Sequence, residues 1–221
     1  MVDLIEGLRA ETVRENLVRV HEAIAAAGRD PAEVEILAAV KYLPADGLMA
    51  LHEAGLRVVG ENRAQDLAAK QAAVTPDQLF TWDFIGALQS RKIRDLVGRV
   101  RYIHSVASDS ALAQLARHAS PQTEVLVEVN VAGEAAKSGV APAQLDDFLA
   151  RCPVAVVGLM TMPPRAPTPE HSRRWFAALA GLAAERGLTQ LSMGTSQDYA
   201  VAAAEGATIV RLGTVLYGGQ A

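Results

Sequence analysis

Cysteine is nearly absent. Cys152 is the only one in 221 residues, so an intrachain disulfide is impossible and a cysteine-built metal cluster is excluded. No run of about 18 uncharged apolar residues occurs, so nothing in the chain reads as a membrane span. The N-terminus, MVDLIEGLRAETVRENL, lacks the basic start and apolar segment of a secretory signal, which leaves the cytoplasm as the expected compartment. An excess of positive charge is missing too. With 21 basic against 25 acidic residues the formal charge is -4, too little cationic surface to neutralise many phosphates, so nucleic acid is not an expected partner. That balance still allows a small anion site. GxSxG, GxxxxGK[ST] and GxGxxG are all absent, and hydrolase, P-loop and Rossmann readings therefore lack their mechanical parts. No two histidines stand at metal-ligand spacing, so no metal is expected.

Half of the residues are apolar, enough for one well-filled core. They come in short runs: 34–41 (VEILAAVK), 57–63, 82–88, 101–107, 124–131, 154–162, 190–195 and 207–215. Most are apolar on both faces, as a parallel sheet covered by helices requires. Between them lie segments of helical spacing, such as SDSALAQLARHA, which Ser108 or Asp109 can cap, and a long one from Pro169 to about Arg186 closed by Gly187. A further helix is predicted over 3–27, where Leu4, Leu8, Leu17, Val20 and Ile24 recur before Gly28. Eight strands with helical crossovers and no break in composition predict an α/β fold, a single (β/α)8 TIM barrel over 1–221; an open doubly wound sheet is the competing topology. After the eighth strand only YGGQA remains, so no eighth helix is expected, and the extra N-terminal helix is expected to take its place in the outer ring.

Ligands of such barrels gather at the carboxyl ends of the strands. Standing there are Lys41, Asn62-Arg63, Ile85-Gly86, His104-Ser105, Asn130, Met160, Ser192 to Ser196, and Arg211 to Thr214. Lys41 is either a solvated end of the first strand or an amine desolvated at the mouth, able to attack a carbonyl. Lys70, inside a helix, is less suited by position. Gly194 allows a tight turn in LSMGTS, Ser196 is the expected cap of the next helix, and Gly213 permits close backbone approach in RLGTVLYGG. Loops after strands seven and eight often hold a phosphate, so Ser196, Gly213 and Thr214 are candidates for one. Arg211 points either into the mouth or to the helical side. His104 either touches a ligand or is structural, and the other four histidines are expected on solvent-facing helix surfaces. The loop MPPRAPTP is stiff, either a rim lid or a linker.

The blocks VK at 40–41, VVGENRAQDLAAK, WDFIGALQSRK, IHSVAS, VLVEVNVAGEAAKSG, VVGLMTMPP and LSMGTSQDYAVAAAEGATIVRLGTVLYG follow in order over nearly all of the chain after residue 34. In these blocks the chain resembles the YggS/PROSC-type pyridoxal 5'-phosphate (PLP) homeostasis proteins. The resemblance implies a barrel like the N-terminal domain of alanine racemase, fold type III among PLP proteins. It implies PLP held as a Schiff base on Lys41, its phosphate on Ser196, Gly213 and Thr214, and Arg211 facing the pyridine nitrogen. It places Asn62, Ile85, Gly86, Met160 and Ser192 in the pocket. It further implies a monomer that buffers or delivers PLP (vitamin B6) inside the cell, with PLP-dependent apoenzymes as acceptors and no turnover of its own. The alternative is a PLP-dependent, racemase-like enzyme; a Schiff-base aldolase without PLP is a more distant rival. Racemisation needs an acid and a base on opposite faces of a carbon. Racemases with this barrel draw one of them from a second domain, which a chain ending just after its eighth strand is expected to lack. Asp83, Arg91, Ala107 and Thr195 depart from the residues usual in the family, and their expected effect is on the rim or a partner surface.

Overall fold

The computed structural model describes residues 4–74, 79–134 and 137–218. The first residue of the predicted N-terminal helix, two residues of the AGEAAKSG loop and the last three of the tail lie outside them. In chain order, α1 (Ala10–Ala26) precedes β1 (Glu35–Ala39), then come α2 (Leu48–Glu53), β2 (Val58–Glu61), α3 (Ala64–Ala73), β3 (Thr81–Phe84), α4 (Ile93–Leu96) and β4 (Tyr102–Val106). The second half runs α5 (Asp109–His118), β5 (Glu124–Glu128), α6 (Leu145–Ala150), β6 (Ala155–Met160), α7 (Arg173–Ala184), β7 (Gln190–Thr195), α8 (Tyr199–Ala204), β8 (Ile209–Leu212) and α9 (Thr214–Tyr217).

The eight strands form one closed parallel barrel in sequential order. Its seam is the pairing of the first strand with the last, Glu35 opposite Ile209 through Ala38 opposite Leu212, which rules out the open doubly wound sheet. Alternation along β1 sends Ile36 and Ala38 into the layer between sheet and helices, while Leu37 and Ala39 face the barrel interior. The outer layer is apolar. Leu48, Leu51, Leu67, Ile93, Leu96, Leu115, Phe176 and Leu179 are fully buried in it, each stabilising the fold by about 1.5–3 kcal/mol on burial.

Helix α1 starts at Ala10, seven residues later than its apolar pattern predicts, and its buried side is Val13, Val20 and Ile24. It lies against α2, α8 and α9 and so covers the β1–β8 seam, the position expected for it. Asn16, buried on the same side, donates Nδ2–H to the Leu216 carbonyl at 3.0 Å. The expectation that no helix follows the eighth strand is corrected: β8 stops at Leu212, short of the predicted 215, and one helical turn, α9, follows directly. Pro169–Ser172 is a 3-10 turn, and α7 proper begins at Arg173. Ser108 caps α5 through the Ala111 amide, as expected.

Candidate functional site

A cavity of about 310 Å³ opens at the carboxyl end of the barrel, on the side where β1, β2, β3, β6, β7 and β8 end. Its polar groups are Lys41, Asn62, Thr195, Ser196, Gln197, Arg211 and Thr214; its apolar walls are Ile5, Ala39, Ile85, Met160, Met162 and Tyr217. With Gly213 also on the wall, the cavity brings together the residues that the family resemblance assigned to the pocket, except Gly86 and Ser192; of the other strand-end candidates, Arg63, His104, Ser105, Asn130 and Gly194 do not line it. Gly86 lines an adjoining cleft that shares Asn62, Ile85, Met160 and Met162 with the cavity, and Lys137 reaches that cleft from the β5–α6 loop.

Lys41 stands just past the end of β1, exposed, with its ammonium 4.6 Å from the centroid of the Tyr42 ring. Desolvation of this amine, one of the two sequence alternatives, is therefore not a property of the open cavity. The backbone beneath it is fixed from below. Lys70, dismissed on sequence because it lies within α3, is buried and donates to the Val40 carbonyl at 2.5 Å and to Glu61 Oε2 at 2.5 Å. Glu61, wholly buried at the end of β2, accepts from the Asn62 amide at 2.6 Å through its other oxygen. One ion pair thus ties the residue before Lys41 to the backbone of Asn62. Tyr217 adds a bond from its hydroxyl to the Ala39 carbonyl at 3.1 Å; burial, joined by the Glu61 charge, pushes its phenol well above the ordinary range.

Arg211 points into the barrel, not to the helical side. Its Nη1 donates to the Ser192 carbonyl (2.7 Å) and hydroxyl (2.6 Å), and its Nη2 donates to the Thr161 carbonyl (2.9 Å) and the Met162 thioether (3.2 Å). Burial lowers its pKa to about 10, against the raising influence of the Glu128 and Asp198 charges. No carboxylate among the described residues lies within ion-pair distance of it. Ser192 is accordingly no cavity residue. It sits wholly buried below the floor and holds the arginine. Asn62 Oδ1 is buried without a hydrogen-bond partner at the cavity wall, an open acceptor in a protein interior where such groups are normally paired.

The far corner is built by β7 and β8. Ser196 does not cap α8 as expected; Asp198 precedes that helix and accepts from the Thr195 amide at 2.8 Å. The Ser196 hydroxyl oxygen instead accepts from the amides of Gly213 (3.1 Å) and Val215 (3.4 Å). Two strand-end loops are joined by one hydroxyl, with both amides turned to the same point. Gly194 has φ +90°, and a Cβ there would stand 2.5 Å from that of Ala202, so the tight turn needs glycine as read. Gly86 needs it for a different reason: a Cβ would lie 2.1 Å from the Asn62 carbonyl oxygen.

His104 touches no ligand cavity. It is wholly buried between Ser192 Oγ (2.8 Å from Nδ1) and Asp83 Oδ2 (3.1 Å from Nε2). Asp83 corrects the expectation of a rim effect, because it lies inside the barrel and is fully buried, while Arg91 is exposed. Met162, Tyr42 and Tyr217 are residues missed from the sequence, where Lys70 is weighed only as a nucleophile; nothing in their spacing marks them, since their places depend on where the barrel closes.

The fold is a closed parallel barrel whose mouth gathers an amine, a buried guanidinium and a hydroxyl-amide corner, the place where barrels of this architecture carry their ligand sites. The family model described as alanine racemase, N-terminal domain matches residues 10–221. A pyridoxal phosphate homeostasis protein of Aquifex aeolicus is 39% identical over 215 residues, covering 91% of this chain and 94% of its own; one of Pseudomonas aeruginosa is 40% identical over 222 residues, covering 96% and 95%. PipY of Synechococcus elongatus, solved with PLP bound, superposes with a TM-score of 0.79 at 33% identity over 93% of this chain and all of its own. The chain belongs to the alanine racemase N-terminal domain family and, within it, to the pyridoxal phosphate homeostasis proteins.

Proposed function

We propose that the protein binds PLP at the barrel mouth and serves in PLP homeostasis, holding and releasing the cofactor for PLP-dependent apoenzymes rather than turning over a substrate. The observation that carries this is the convergence on one cavity of four groups that suit four parts of that molecule. Lys41 supplies the amine that condenses with the aldehyde, forming a carbon–nitrogen double bond and releasing water. The Ser196 hydroxyl, whose oxygen accepts from the Gly213 and Val215 amides and which keeps its own hydrogen to give, and the Thr214 hydroxyl supply donors for a phosphate. Arg211, whose Nη2 donates to the weak thioether acceptor of Met162, would offer that hydrogen to the ring nitrogen. The unpartnered Asn62 Oδ1 accepts from a ring substituent. Ile85, Met160 and Tyr217 supply apolar walls for a flat ring, and Gly86 and Ser192 act through Asn62 and Arg211 rather than by contact.

Bound PLP supplies an electron sink. Arg211 works against its full use, because a cation beside the ring nitrogen disfavours protonation there. Racemisation needs two acid-base groups on opposite faces of a carbon. Among the described residues lining the cavity there is no carboxylate or imidazole; of its two phenols the Tyr217 hydroxyl is tied to Ala39, which leaves Tyr42 and Lys41 as the groups able to move a proton there. An exposed amine in an open mouth suits exchange with incoming amines.

Purified protein titrated with PLP is expected to develop a visible absorption band, with borohydride fixing the adduct on Lys41 in a peptide mass map. Stoichiometric binding that survives Lys41→Ala, or an adduct on another lysine, refutes the assignment. Steady conversion of one alanine or serine enantiomer, lost in Lys41→Ala, would instead establish the racemase-like alternative.

A further inference from the structure

Six side chains run in an unbroken polar string through the interior of the barrel, from solvent at its amino end to the floor of the cavity. Glu35 takes both Nη groups of Arg101 (2.6 and 2.9 Å), and Arg101 also holds Asp83 at 2.7 and 3.0 Å. Asp83 meets His104, His104 meets Ser192, and Ser192 meets Arg211. Asp83, His104 and Ser192 are each fully buried.

The hydrogens on this string can be assigned from its ends. Arg211 only donates, so Ser192 Oγ accepts from it, and the one hydroxyl hydrogen of Ser192 is left for His104 Nδ1. A proton on Nδ1 would leave this buried hydroxyl hydrogen with no acceptor, because His104 and Arg211 are the only hydrogen-bond partners of Ser192 Oγ among the described residues, so Nδ1 is a bare acceptor. At the other end the Asp83 carboxylate only accepts, so His104 Nε2 carries the hydrogen. Both ends demand the same neutral tautomer. The charges agree: Glu35 and Asp83 balance Arg101 and Arg211 only while His104 is uncharged. The charged groups that bear on the imidazole are Asp83, Arg211 and Arg101, and burial keeps it below the usual histidine range in spite of the Asp83 carboxylate.

We propose that Asp83 and His104 are positioning residues for Arg211: Asp83 selects the His104 tautomer, and His104, through Ser192, fixes the guanidinium that faces the cavity and links it to a buried counter-charge. This rests on the PLP reading above for what Arg211 recognises, but the tautomer stands on the geometry alone.

Two measurements test it. In the ligand-free, nitrogen-15-labelled wild type, with His104 signals identified by their absence in His104→Asn, the expected state at neutral pH is a bare Nδ1 and a protonated Nε2. A proton on Nδ1, whether as the other tautomer or as imidazolium, overturns the proposal. In PLP titrations, His104→Leu is expected to weaken binding about tenfold, the upper end of what one buried hydrogen bond between neutral groups is worth. His104→Asn, whose Oδ1 can accept from Ser192 in place of Nδ1, is expected to stay within about threefold of wild type, with the visible band unshifted. Equal affinities for the leucine variant and wild type overturn the positioning role. Should the leucine variant fail to fold, Ser192→Ala makes the same comparison with the loss of one oxygen atom. A wild type that takes up no PLP refutes the proposed function, and the tautomer measurement then decides this proposal by itself.

Discussion

Lys70→Met is the substitution that asks most of the site's foundations. The methionine occupies nearly the same aliphatic volume, so no large cavity follows and the change is one of charge. Two bonds vanish, to the Val40 carbonyl and to Glu61 Oε2, both 2.5 Å long in the intact protein. Glu61, with no exposed surface, keeps only the backbone amides of Asn62 and Arg63 at 2.6 and 3.4 Å. Removing one member of a buried pair typically costs about 3–5 kcal/mol, most of it the penalty of the charge left behind. With a urea slope of ~3 kcal/mol/M for a chain of this size, the unfolding midpoint falls by about 1–1.7 M. Adding Glu61→Gln removes that stranded charge while its side-chain oxygen still accepts from Asn62, so the double variant is expected to regain a clear part of the loss. A midpoint shift below about 0.3 M for Lys70→Met, or a double variant less stable than the single one, would show that the pair does not hold the two strand ends.

Other perturbations have equally definite outcomes. Gly86→Ala sets a Cβ against the backbone of Asn62, which no side-chain rotation relieves; a loss above about 3 kcal/mol is expected, seen as a melting temperature lower by at least ~6 °C or as insoluble expression. Acid should weaken the fold in two stages. Burial holds His104 below its ordinary range, so its contribution is complete above the unfolded value of about 6.5 and declines as pH drops beneath it. Burial pushes the Asp83 carboxyl up, but its hydrogen bonds to His104 and Arg101 and the Arg101 charge more than offset this and leave it low, so its contribution persists until below about pH 4. Urea midpoints compared at about pH 8 and pH 5 should therefore differ in wild type and differ less in His104→Asn. Arg211→Lys keeps a positive charge but has one nitrogen for the places that Ser192, Thr161 and Met162 now hold, and PLP affinity should fall at least about tenfold in an absorbance titration.

Strand positions were legible because their residues are apolar on both faces, a pattern few other elements share; β7 matches its predicted bounds at both ends. The ligand side was legible because polar residues in this chain cluster where strands stop. What escaped was pairing across the barrel. Lys70 reads as one more lysine of an amphipathic helix until α3 packs over the ends of β1 and β2 and turns it inward. Asp83 sits in an apolar run and reads as a surface substitution, because only closure of the barrel brings it to His104 and Arg101. Ser196 has the local signature of a helix cap, yet its bonds go to amides of another loop. Local patterns carry helix and strand; these contacts join residues far apart in sequence.

The seam between the first and last strands has a consequence for biogenesis. Lys41 and the Gly213 corner are near-neighbours in space but almost a whole chain apart in synthesis. A growing polypeptide on the ribosome can make most of its strand pairs before the pocket exists, and only the final zip brings the amine and the Gly213 corner together. The cavity is thus complete only when the last strand has joined the first.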